Sequence, residues 1–546
     1  MYSVRTGTVY SCQRNTGDTI DAIKLNDMPY ASGARYAQEK GCLPGTRECV
    51  LREICDILNS PAEDAPQVCL LTGVAGSGKF AIAHSIARLY DGQKRLGSSY
   101  CFSSSDVARR HPQNLFTTIA RDLADQDHHF KSALWDIVKD SRALCTSPSV
   151  SEQIERLIIE PSAHLHAIGP LVIVIDALDE SGNGDSRRQL LDALSRRIPG
   201  RSLPKNLRFL IATRPESDII DSLSVHPQVV RNHLGDVPEA QIDEDISKFI
   251  YHSLHQHAEL EQSWPNQEWC RLLVCHSQHL FQWAATACRF IQGMGSSGLS
   301  PRKRMKMLLQ SDNRASIRPL DELYRTILGQ LFPLDEAQEC FREVMALLLA
   351  LKEPLPLESL SALFNSDEDL NVRDVIKPMG SLLDGALDEQ KPIRPLHTSF
   401  RDFLLDEARS STFHVRIIPL HSLSIGRALL LCMRHMLRFN ICHLKDSRLR
   451  NAAVPNITET VKMALPPHLS YGCLYWMDHL QHADCTADLL QEVTLFFRDF
   501  LPYWLEAISL LSLSSPQSSI LSAIEACTIL MGWGQVRSRV LAQGQY

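Results

Sequence analysis

Between Gly73 and Lys79 the chain reads GVAGSGK, a G-x-x-x-x-G-K loop preceded by the apolar run Val68 to Leu71 and followed by the helical spacing of Lys79 to Tyr90. That pattern is suited to holding phosphate. Glycines at 73, 76 and 78 let the backbone curl tightly and turn its N–H groups inward, where a helix N-terminus adds partial positive charge. Gly73, Ala75, Gly76, Ser77, Gly78 and Lys79 are therefore expected to bind a nucleotide's phosphates, with Lys79 as a point charge on the terminal ones. The next residue departs from the pattern: a serine or threonine hydroxyl normally reaches Mg2+ there, and this chain has Phe80. The backbone N–H of Phe80 still faces the loop, so phosphate binding is expected to survive while Mg2+ is held weakly. Hydrolysis should suffer more than binding, because the ion neutralises charge that develops in the transition state. A ring turned into the loop would instead block the phosphates.

Two further segments supply the other chemistry such a site needs. PLVIVIDALDE, Pro170 to Glu180, is an apolar run ending in three carboxylates. Asp176 is expected to hold the magnesium shell, and Asp179 or Glu180 to orient or polarise an attacking water. LRFLIATRPE, Leu207 to Glu216, ends in Thr213 and Arg214, and an arginine at that edge can sense a γ-phosphate through its fork of donors.

To bring these residues together the chain needs a parallel sheet covered by helices on both faces. Short apolar runs at Val68 to Leu71, Ser98 to Phe102, Leu171 to Ile175 and Leu207 to Ala212 alternate with helical stretches such as Asn114 to Asp125, which is the α/β pattern. After Gly235 the texture becomes helical: Ile242 to His257, Asn266 to Ile291, Leu320 to Leu331 and Glu336 to Leu351. Pro354 to Asp406 reads as two short helices and a hairpin, with runs at Ser381 to Ala386 and Ile393 to Pro395 around a turn at Asp388 to Pro392. From about Ser410 the pattern is helix pairs broken at Pro455, Pro466 to Pro467 and Pro516 to Ser518, and the broad apolar face of Ala428 to Cys442 needs a partner surface.

Composition narrows the classes. A chain of 546 residues with 44% hydrophobic residues is a multi-domain folded protein, and a net charge of −7 without a basic block argues against nucleic acid as a partner. The cationic run Pro301 to Met307 reads as a solvated linker or helix end. No apolar stretch is long enough to span a bilayer, and the N-terminus lacks a signal-peptide core, so no membrane association and a cytoplasmic location are expected. The 16 cysteines are then expected to be reduced. Neither Cys275, His276 and His279 nor His252, His255 and His257 has the spacing of a zinc site, and Asn456 to Thr458 is a chance match to the glycosylation pattern.

The ordered set GVAGSGK, VIDALDE and IATRPE resembles the NACHT domains of the signal-transducing STAND class of P-loop NTPases, especially the fungal set related to NLR-type immune receptors. GCLPGTRECVLREI, HLFQWAATACRFI, PLDELYRTIL, PLHTSFRDFLLD and MLRFNICHL agree with it, so the likeness runs from about Gly41 to Leu480. Residues 1–40 have no sustained periodicity and read as a leader or linker; what the resemblance implies after them is an α/β P-loop nucleotide-binding domain over 41–235, a helical domain over 236–318, a winged-helix domain over 319–410 and a helical domain over 411–546. It implies a molecular switch that binds ATP or ADP, closed on ADP and released by ATP to meet protein partners and to homo-oligomerise, with His397 reaching the ADP β-phosphate in the closed state. GTP is left open beside ATP. The alternative is an inert pocket on a scaffold that acts through protein contacts; no acceptor-binding signature points to a metabolic kinase.

Overall fold

The structure is a computed structural model and describes residues 25–511 apart from 26–27, 63–64, 105, 140, 146, 148, 167–168, 183, 196–203, 205, 225, 227, 256–264, 295–297, 311–317, 365–370, 446–450, 452–453 and 482–485. His257 and the break at Pro516 to Ser518 lie outside the described residues. Five parallel strands form one sheet in the order β2-β3-β4-β1-β5, with β1 Val68–Thr72, β2 Leu96–Cys101, β3 Leu171–Asp176, β4 Leu207–Thr213 and β5 Val229–His233.

The continuous apolar character of β1, β3 and β4 follows from burial on both faces. Residues alternate between two cores: Cys69, Leu71, Val172, Val174, Leu210 and Ala212 pack under helices Glu48–Asn59 and Lys79–Gly92, while Leu70, Ile173, Ile175, Phe209 and Ile211 pack under the opposite layer. That opposite layer includes helices Gln113–Gln126, Asp185–Ser195 and Ser217–Leu223. The connection leaving β1 runs toward β2, whereas the one leaving β4 runs toward β5. The crevice between such diverging connections, above the carboxyl ends of the strands, is where open α/β sheets receive ligands.

Residues 28–40, which show no periodicity in the sequence, lie along the sheet. The carbonyl of Ala34 accepts from the Cys101 N–H at 2.8 Å, the Tyr36 N–H donates to Ser99 Oγ at 3.0 Å, and Met28, Ala31, Ala34 and Tyr36 are buried.

A third core, from Ile242 to Leu511, belongs to the helical remainder. The stretch expected as one helix from Asn266 to Ile291 is two, Gln267–Ser277 and Phe281–Gln292, because Gln278 and His279 both take left-handed φ, 47° and 64°. His279 Nδ1 lies 2.8 Å from Asp243 Oδ1 there. The cationic run expected as a linker or helix end starts helix Pro301–Gln310, with Arg304 and Met305 buried. Helices Pro319–Leu331, Asp335–Ala350 and Leu357–Phe364 lead to a small antiparallel hairpin, β6 Leu383–Asp384 with β7 Arg394–Pro395, and then to helix Thr398–Leu405. Beyond it pack Pro419–Met436, Pro467–Leu480 and Ala487–Leu511. Among the described residues every cysteine is a free thiol, and no helix is long and apolar enough to cross a membrane.

Candidate functional site

The G-x-x-x-x-G-K loop sits at the carboxyl end of β1, as the strand-then-helix pattern requires. Gly76 and Gly78 have φ of 84° and 97°, which ordinary side chains rarely adopt. A Cβ on Gly76 would come within 2.9 Å of Gln282 Cβ, so the loop tip is pressed against the start of helix Phe281–Gln292. The Gln282 N–H donates to the Gly76 carbonyl at 3.1 Å. Lys79 bends back over its own loop, donating to the carbonyls of Gly73 at 2.7 Å and Val74 at 3.0 Å. Burial lowers its pKa to about 8 in spite of Asp179 and Asp176 nearby. Ser77 Oγ donates to the Val74 carbonyl at 2.9 Å.

Phe80 does not fill the loop. Its side chain is 41% exposed and leans on His84 one turn along the helix, ring centroids 4.0 Å apart, with Lys40 Nζ 5.7 Å from its centre. Of the two positions open to it, the ring takes the one outside the loop.

At the tip of β3, Asp176 is buried and its Oδ2 has no hydrogen-bond partner. Burial raises its pKa to about 7, against the opposing pull of the Ala177 amide and Lys79. Ala177 then takes a left-handed φ of 54°, a strained conformation for a residue with a side chain, and this turn swings Asp179 and Glu180 back over the strand ends. Glu180 accepts from the Ser104 N–H at 2.9 Å, and burial again raises its pKa to about 7. Asp179 is differently placed: it accepts from the Arg214 N–H at 3.0 Å and pairs with Arg214 Nε at 3.1 Å. It is thus engaged as an anchor, while Glu180 keeps a raised pKa beside it.

Arg214, just past β4, also donates from Nη1 to Asp402 at 2.8 Å and from Nη2 to Thr398 Oγ1 at 2.6 Å. Burial would lower its pKa, and the carboxylates of Asp402 and Asp179 raise it instead. His397 caps helix Thr398–Leu405, accepting from the Ser399 N–H at 3.1 Å. Desolvation, with Arg214 and Lys79 adding to it, pushes its pKa down to about 3, so the ring is neutral. The structure therefore gathers Lys79, Asp176, Asp179, Glu180, Arg214 and His397 at one edge of the sheet.

Four contacts at this edge carry no sequence signal of their own. Arg47 donates to the Ser77 carbonyl at 2.8 Å and lies 4.6 Å from the Phe281 ring centre, but nothing in its spacing marks it. Asp402 and Thr398 are ordinary helix residues until Arg214 reaches them. Cys101 Sγ lies 3.5 Å from His84 Nε2, and a carboxylate oxygen of Asp176 lies within 4.8 Å of both residues' ligand atoms. Of the histidine groups set aside as zinc ligands, His276 is buried beside Trp283, with ring centroids 6.2 Å apart, Cys275 is exposed, and His255 stacks on Tyr251 at 5.1 Å.

A glycine-rich loop between strand and helix, with acids on the neighbouring strand tip, places the chain with α/β proteins of P-loop architecture followed by a largely helical remainder. A family model described as Nephrocystin 3, N-terminal, matches residues 45–214, the span from just before the loop to Arg214. The chain is also similar to the Vegetative incompatibility protein HET-E-1 of Podospora anserina, 25% identical over 398 residues, which make up 68% of this chain and 27% of that protein. The chain thus spans about a quarter of the length of the curated relative it matches. These two likenesses support a protein of the fungal NACHT type.

Proposed function

We propose that the chain is a NACHT-type nucleotide switch in signalling, which binds ATP or ADP on Gly73 to Phe80 and hydrolyses it weakly or not at all. In this reading residues 41–235 form the nucleotide-binding domain, 236–318 a helical domain, 319–410 a winged-helix domain around the β6–β7 hairpin, and 411–546 a further helical domain. The observation that carries it is the three-way grip of Arg214 on Asp179, Asp402 and Thr398. One guanidinium joins the edge of the sheet to the helix after the hairpin, so a phosphate that competes for it would loosen that joint. His397, one residue before the same helix, is the group that would meet the β-phosphate of ADP in the closed form. The outward turn of Phe80 leaves room for phosphates, and the unpartnered oxygen of Asp176 suits a hydrated Mg2+ that no hydroxyl at position 80 helps to hold. When bound, that ion would supply charge neutralisation at the phosphates. Opening would expose helical surfaces to protein partners, including further copies of the chain. The vegetative incompatibility relative supports a role in non-self recognition, in the cytoplasm.

The inert scaffold is the second reading, and Lys79 favours it: its ammonium already binds two carbonyls of its own loop. Calorimetry with ATP, ADP and GTP, with and without Mg2+, separates the two. A switch binds ADP with modest dependence on Mg2+, and Lys79→Ala removes the binding. Absence of any nucleotide-induced rise in melting temperature, in the natural chain and in Lys79→Ala alike, would leave the scaffold.

A further inference from the structure

We propose that His84, Cys101 and Asp176 form a binding site for a thiophilic divalent cation of the zinc kind, which takes over the Asp176 carboxylate that would otherwise face magnesium at the phosphates. The fold makes the cluster unavoidable. Cys101 and Asp176 are register partners at the ends of β2 and β3, and both side chains leave the sheet on the face covered by helix Lys79–Gly92. His84, on the second turn of that helix, drops onto them. One ligand atom from each residue lies within 4.8 Å of the other two, and all three residues are at least nine-tenths buried.

The distances suit a tetrahedral ion. Zn–S of about 2.3 Å and Zn–N of about 2.0 Å at a tetrahedral angle put sulfur and nitrogen roughly 3.5 Å apart. Cys101 Sγ and His84 Nε2 are 3.5 Å apart. The aspartate oxygen lies within 4.8 Å of both, so the other two edges close if it draws in toward the ion. The charge balance also favours binding, because Asp176 is a buried acid whose Oδ2 has no partner. Binding transfers the Cys101 thiol proton to solvent, and thiolate, carboxylate and neutral imidazole then offset a dication.

A second layer of contacts already orients the imidazole. His84 Nδ1 lies 2.9 Å from the Ala37 N–H and 3.1 Å from the Ala37 carbonyl. Without metal, Nδ1 accepts from that N–H. When Nε2 turns to a metal, the proton moves to Nδ1 and donates to the carbonyl, the usual way a ligating histidine is oriented. Phe80 packs on the other side of the imidazole. Mg2+ prefers an all-oxygen octahedron and is a poor match for sulfur and nitrogen. The fourth position is left to water or another oxygen donor.

Chelator-treated full chain, titrated with Co2+ in the absence of nucleotide, tests the site. One Co2+ per chain is expected, with a thiolate-to-cobalt charge-transfer band; Zn2+ displaces it and excess Mg2+ does not. Cys101→Ser, nearly isosteric, should lose the band, weaken binding at least tenfold and abolish the rise in melting temperature caused by Zn2+. X-ray absorption on the natural chain, which needs no variant to fold, should find one sulfur and one imidazole around the metal. Absence of the band, its survival in Cys101→Ser, or a shell with no sulfur would overturn the proposal. None of these readings depends on whether the loop binds nucleotide.

Discussion

The edge of the sheet and the helical bundle at the far end of the chain bury polar groups in opposite ways. In the bundle they are tied to one another: the Trp504 indole donates to the Cys473 carbonyl at 3.0 Å, and the Tyr471 hydroxyl sits between His479 Nε2 at 2.7 Å and the Lys352 N–H at 2.8 Å. Its half-buried acid, Glu353, is held by the Tyr475 hydroxyl. Trp476 Nε1 and His479 Nδ1 stay unpartnered there, but neither belongs to an acid. At the sheet edge the unpartnered atoms include, with two nitrogens of Arg47, a carboxylate oxygen of Asp176, beside a second acid with a raised pKa and a lysine with a lowered one. A buried charge left without a partner is costly, so the bundle is arranged for stability and the sheet edge is arranged to receive something.

The largest test of this contrast lies in the bundle. Trp504 is 1% exposed and meets Trp476 edge-on at 6.3 Å, while Gly426, where any Cβ would run into Leu480, lets helices Pro419–Met436 and Pro467–Leu480 approach closely beneath it. Trp504→Ala removes the ring and the indole donor together and is expected to cost about 3–5 kcal/mol. Urea and thermal unfolding measure it. A cost under about 1 kcal/mol would mean that the bundle is not the rigid partner in the comparison.

At the sheet edge the sign should reverse. Asp176 is ionised at a cost, so metal-free Asp176→Asn is expected to be more stable than the natural chain by on the order of 2 kcal/mol at pH 8. The pH dependence follows from the raised pKa. Between the ordinary aspartate value, 3.8, and about 7 the folded carboxyl keeps a proton that the unfolded one has lost, so the natural chain loses stability as pH rises through that window. The gain from asparagine is therefore absent near pH 4 and complete above about pH 7.5. His84 and His397, with pKa values lowered to about 4 and about 3, act in the opposite direction over the same range, but they are common to both chains and cancel in the difference. Melting curves in chelator from pH 4 to 8 would decide it; a variant less stable than the natural chain at pH 8 would show that Asp176 is structural.

How far these two regions can be read from the sequence differs as well, and for the same reason. Strands β1, β3 and β4 are legible because burial on both faces demands unbroken apolar runs, and the loop is legible because its glycines answer a local backbone requirement. β5, Val229–His233, is half-exposed at the sheet's edge and has no such run. The break at Gln278 and His279 is invisible because residues that rarely adopt left-handed φ are held there by tertiary contacts such as His279 with Asp243. Helix Ala487–Leu511 runs through Pro502, a residue that interrupts a helix unless packing holds it. Arg214 is legible as a strand-end cation, whereas its partners Asp402 and Thr398, more than 180 residues on, follow only from the fold. His397 enters through family resemblance alone. The cluster of His84, Cys101 and Asp176 leaves no trace in spacing, since strand register and helix packing create it.

The smallest stability effect and the sharpest functional one meet at position 80. The Phe80 ring is 41% exposed and touches His84 along one side, so Phe80→Ser forfeits only part of a ring's burial, roughly 0.5 kcal/mol. The same change puts a hydroxyl on the second residue of the helix that follows the loop, where a P-loop protein binds Mg2+. If the sheet edge is limited by its ligand atoms and not by its packing, ADP affinity in Phe80→Ser becomes strongly dependent on Mg2+, while affinity without Mg2+ stays within about threefold of the natural chain, since the amides, the helix dipole and Lys79 are unchanged. Calorimetry at matched ionic strength with and without the ion reads both quantities. Equal Mg2+ dependence in the two chains would place the limitation elsewhere, in the hold of Gln282 on the loop tip or of Lys79 on its own carbonyls, and the contrast between a tied bundle and a receptive edge would then have to be drawn around the loop's closure instead of its missing oxygen.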